Sequence, residues 1–120
     1  MMFPQFRSKQ RDVRSDIERL SAVEDAIARV IEDVEQEQAG LAARIAEARK
    51  RATALYGEMI EDESPDTAAA TAMLNDAERV LVRGDVRLIE LRTNLAFLND
   101  LRRSTASESE RLQAYSADGE

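Results

Sequence analysis

The side chains of this chain that could do chemistry are carboxylates and guanidiniums. Glu61, Asp62, Glu63 and Asp66 cluster near the midpoint, and oxygen ligands of that kind suit Mg²⁺ or Ca²⁺. The run lacks the spaced ligands and the glycine of an EF-hand loop, so it reads as a solvated loop. Arg79, Arg83 and Arg87 recur every fourth residue, which on a helix makes a row of like charge. With Arg44 and Arg51 they are candidate anion-binding residues, for an acidic partner or a phosphate. Paired-carboxylate catalysis needs a cleft that raises one pKa, and nothing in the sequence suggests one. The chain has no histidine and no cysteine, which removes the commonest general base, the thiolate nucleophile and soft-metal ligation. There is no Gly-rich phosphate loop and no nucleophilic serine motif. The expectation is a protein that is not an enzyme, with no catalytic residues, metal site or cofactor.

Composition says what must carry any binding. Of 120 residues, 43% are hydrophobic and 34% charged, with three Phe, two Tyr, no Trp, four Gly and two Pro. That mixture suits a thin helical seam better than a deep core. The net charge of −7 disfavours nucleic acid as a general partner, because phosphate attraction dominates that affinity. No apolar run reaches the length of a membrane span, and MMFPQFRSKQ lacks a signal peptide's apolar core, so a cytoplasmic location is expected. Arginine outnumbers lysine fifteen to two, a bias associated with GC-rich bacterial genomes.

The elements follow from spacing. From Val13 a 4-3 repeat of core positions runs to Met59 and passes Gly40 in phase. With Ile17 at heptad position a, Ile31 and Ile45 share a, and Leu20, Ile27, Val34, Leu41 and Leu55 fall at d. A continuous helix is expected through Gly40, at a cost of about 1 kcal/mol relative to alanine. A second repeat runs from Leu74 through Leu81, Gly84, Leu88, Leu91, Leu95 and Leu98 to Leu112, turning polar at Arg102. Between them Ser64 suits a helix N-cap, Pro65 the first helical position, and Asp66 the positive end of the helix dipole.

Two helices joined by a short turn should fold back on each other. An antiparallel pair stacks a on d, which holds in every layer if paired residue numbers sum to about 129. Leu55 then meets Leu74, Ala52 meets Ala77, Ile45 meets Gly84 and Leu41 meets Leu88. Glu24 comes close to Arg102 and Thr105, Arg49 to Glu78, Glu35 to Arg92, and Arg44 faces Arg87. The fold class is therefore an all-α, antiparallel two-helix coiled-coil hairpin, assembling into a helical bundle. Its parts are a flexible basic and apolar segment over 1–12, helix 1 over about 13–61, a turn at about 62–65, helix 2 over about 65–114, and a disordered tail over 116–120.

That register leaves Val82, Val86, Ile89 and Ala96 at positions b and f of helix 2, with Phe97 beside them at c. Helix 1 has no comparable outward stripe. These five are the candidate partner-binding residues, since contiguous exposed apolar surface usually marks an interface. The partner is a second hairpin, another protein, or both, which makes the chain an adaptor, chaperone-like subunit or scaffold. In its two long helices, short turn and length it resembles the coiled-coil stalk proteins of flagellar and type III export gates. That resemblance is one of architecture and transfers no residue role. A further alternative is a surface-binding module, using the basic zone for nucleic acid. The same module could instead reach an anionic membrane with Met1, Met2, Phe3 and Phe6 among Arg7, Lys9, Arg11 and Arg14.

Overall fold

The computed structural model describes residues 4–61 and 67–118, with side chains over 8–61 and 68–117. These residues form two α-helices, α1 (Pro4–Glu61) and α2 (Thr67–Asp118), packed as an antiparallel hairpin with no strand among them. Helix α1 passes through Gly40 unbroken, in phase with its heptads, and runs to Glu61. It starts at Pro4 rather than near Val13, so most of the segment expected to be flexible is helical. A proline is tolerated there because the N–H it lacks would have no acceptor in the first turn. Helix α2 reaches Asp118, past the expected end near 114 and into the expected tail. Ser64, Pro65 and Asp66, the expected cap, lie outside the described residues.

The chain divides into two units, Val34–Asn94 and Met1–Asp33 with Leu95–Glu120. In Val34–Asn94, one buried cluster joins Ala52 and Leu55 of α1 to Leu74 and Ala77 of α2. A second joins Leu41 and Ile45 to Leu91, with Val34, Leu81 and Leu88 packed against it. These layers are the a-on-d layers of the 129 register. Gly84 is buried, and a methyl group added there would lie 2.7 Å from both Cδ1 and Cγ1 of Ile45. The close approach of the helices at this layer therefore depends on a missing side chain. In the other unit Ile27 and Ile31 of α1 are buried, while Leu95 and Leu98 of α2 are partly buried.

The glycines make a contrast that stability can report. A methyl at Gly40 or Gly57 would meet no atom within 4 Å. Either Gly→Ala change is expected to stabilise the hairpin by about 1 kcal/mol, the helix-propensity difference. Gly84→Ala carries the same intrinsic gain, offset by the collision with Ile45, and should yield no stabilisation. Urea titrations followed by far-UV circular dichroism would distinguish these outcomes.

Candidate functional site

Helix α2 carries the outward apolar residues. In Val34–Asn94, Val82, Val86 and Ile89 are 66%, 57% and 61% exposed. They follow one another at four- and three-residue spacing and so share a face. Leu88 and Leu91, which flank Ile89, turn toward the buried cluster instead. Thr93, one turn further on, bonds its hydroxyl back to the Ile89 carbonyl at 3.1 Å, which leaves no polar group of its own reaching across the stripe. Ala96 and Phe97 belong to the other unit, where both are exposed and Leu101 is exposed one turn beyond Phe97.

The basic residues do not form one patch. Arg79 pairs with Asp76 on its own helix at 3.4 Å. Arg87 reaches across to α1, where its Nε and Nη2 donate to the two carboxylate oxygens of Glu37 at 2.8 and 3.1 Å. Glu90 lies 3.8 Å from its Nη1. These bonds hold the Glu37 carboxyl below its usual pKa, helped by the nearby charges of Arg87 and Arg44, and raise that of Arg87. Arg87 is thus committed to Glu37 while still sharing a groove with Arg44, the residue it was expected to face. Arg44, Arg83 and Arg87 do line one interhelical groove, with Leu41, Val80 and Gly84. Arg44 and Arg51 line its continuation with Glu47, Ala48 and Val80. Arg49 and Lys50 instead line a separate shallow surface with Ala46, Thr53 and Ala54. Of the five candidate anion-binding residues, the groove therefore collects Arg44, Arg51, Arg83 and Arg87 and omits Arg79.

Other expected polar pairs are redistributed. Glu78 accepts from the Tyr56 hydroxyl at 2.8 Å, a bond that raises the Tyr56 pKa, while Arg49 enters no ion pair among the described residues. Glu35 and Arg92 likewise form none among the described residues. In the other unit Arg102 bonds Asn99 at 2.8 Å, and the Thr105 hydroxyl bonds the Leu101 and Arg102 carbonyls of its own helix. Glu24 consequently keeps a buried Oε1 with no hydrogen-bond partner among the described residues. An orphaned polar atom at an a position costs about 1–3 kcal/mol. Glu24→Leu is therefore expected to raise the thermal midpoint, and Glu24→Gln to change it little, because an amide oxygen would be orphaned in the same place.

No family model, curated protein or solved structure matches the chain. Among the described residues no helix is long and apolar enough to cross a membrane. The acidic cluster lies, apart from Glu61, outside those residues, as do Met1, Met2 and Phe3 of the expected membrane-contacting segment.

Proposed function

We propose that the chain is a non-catalytic helical interaction protein, an adaptor, chaperone-like subunit or scaffold, that engages its partner through Val82, Val86 and Ile89. The observation that carries this reading is the exposure of three large aliphatic side chains on one face of a helix whose opposite face is already buried. A helix needs only one apolar stripe to pack into a hairpin, so a second has no use inside it. The surface fits another helix laid along it, from a second copy or from a different protein, with apolar contacts at four- and three-residue intervals. Light scattering at low and high salt tests the idea. Burial of aliphatic surface persists when charges are screened, so association through the stripe should survive high salt. A chain that is monomeric at high salt up to the limit of solubility would remove self-association through this face.

A further inference from the structure

The groove around Val80 is a second surface, different in chemistry from the stripe. Small residues create it: Ala48 and Gly84 let the helices approach and supply nothing to fill the flank. Val80 is left 40% exposed on its floor. Glu37 and Glu90 neutralise Arg87, but Arg44, Arg51 and Arg83 have no ion-pair partner among the described residues. Glu47 is the carboxylate that lines the same groove. Three unpaired guanidiniums around an apolar floor call for carboxylates and an aliphatic contact from outside.

The flank itself contains what would satisfy it. Arg44, Arg51 and Glu58 lie seven residues apart on α1, and Met73, Val80 and Arg87 lie seven apart on α2. Seven residues are close to two helical turns, so each trio shares one face of its helix. Met73 is 50% exposed, and Glu58 is exposed with no ion pair among the described residues. Turned end for end about a twofold axis level with Arg51 and Val80, this flank matches itself. Glu58 of one copy then stands opposite Arg44 of the other, twice, and the two Val80 side chains meet near the axis. The same axis sets Arg51 opposite its own copy, and Glu47, one turn earlier on α1 and lining the same groove, is the carboxylate placed to offset that like-charge pair. The pairing cannot be satisfied within one chain. Arg44 and Glu58 sit on one continuous helix, about 21 Å apart at 1.5 Å per residue.

We infer that a second copy of the chain docks antiparallel on the Val80 flank, pairing Glu58 of each protomer with Arg44 of its partner.

The arrangement allows a test by charge exchange, read by sedimentation equilibrium at low salt on the full chain, with circular dichroism as the control for folding. Arg44→Glu alone and Glu58→Arg alone should each weaken self-association by about tenfold or more, because each places like charges opposite one another twice. The double variant Arg44→Glu/Glu58→Arg should regain the wild-type affinity. Mixing the two single variants should also restore a dimer, now a heterodimer, since each then supplies the charge the other lacks. A merely structural role for either residue would not produce rescue between separate chains. The inference is overturned if the wild type is monomeric at low salt, if both single variants associate as the wild type does, or if neither rescue succeeds while every variant remains helical. Monomeric wild type that binds a poly-glutamate peptide at the groove would assign the surface to a foreign acidic partner instead.

Discussion

Replacing Val86 and Ile89 together by glutamate is expected to abolish association that survives high salt while leaving helix content unchanged. Both side chains are more than half exposed, so neither carboxylate has to be buried in the hairpin. Glutamate is also a better helix former than valine or isoleucine, so α2 loses nothing locally. In a docked complex the same carboxylates would be trapped against a partner's apolar surface, and the desolvation of two charges would oppose binding. Light scattering and circular dichroism on one sample give both halves of the result. Unfolding of the double variant would mean that these residues belong to a core, and the register would then be wrong. Unchanged high-salt association would mean that the stripe is not the contact.

Leu91→Ala is expected to be the most damaging single truncation in the hairpin. Leu91 is 1% exposed and packs on Leu41 and Ile45, the layer next to Gly84. Buried Leu→Ala changes cost about 2–5 kcal/mol, a large share of the stability of a chain this size. Ile89→Ala, two residues away on the outward face, should shift stability by no more than about 0.5 kcal/mol. Urea midpoints for the pair measure the register directly. Comparable losses at both positions would show that the outward stripe is covered within the folded chain, and would argue against its role as a docking face.

Much of this was legible from spacing. The a and d positions of two repeats admit few antiparallel registers that stack every layer, and Ile45 against Gly84 is the pair that discriminates among them. Exposure of Val82, Val86 and Ile89 followed from the same geometry, since a residue four or three positions from another on a helix has a determined direction. Less legible was anything decided by the reach of long side chains. Arg87 has Glu37 across the seam and Glu90 on its own helix within range of its flexible stem, and its two-pronged bond to Glu37 depends on rotamers that periodicity does not contain. Glu24 illustrates the same limit, because Arg102 and Thr105 stand near enough in register yet bond within their own helix. The start of α1 was missed for a different reason. Proline is a breaker inside a helix and a tolerated starter at its first position, so Pro4 reads either way until the backbone is seen.

The Glu37–Arg87 bridge has a consequence that its modest exposed geometry conceals. An ion pair open to water adds little to stability by itself. Its influence falls on the misaligned hairpin, in which α2 has slid by one heptad along α1. That slip keeps apolar a and d positions in contact and so is the nearest competitor of the correct alignment. It would, however, exchange Glu37 for Arg44 opposite Arg87, turning attraction into repulsion, and it would bring Ile45 from the gap at Gly84 onto the bulk of Leu91. One guanidinium and one missing side chain thus act together as a vernier: they leave the depth of the native state almost untouched and raise the energy of the slip that would carry Ile45 onto Leu91.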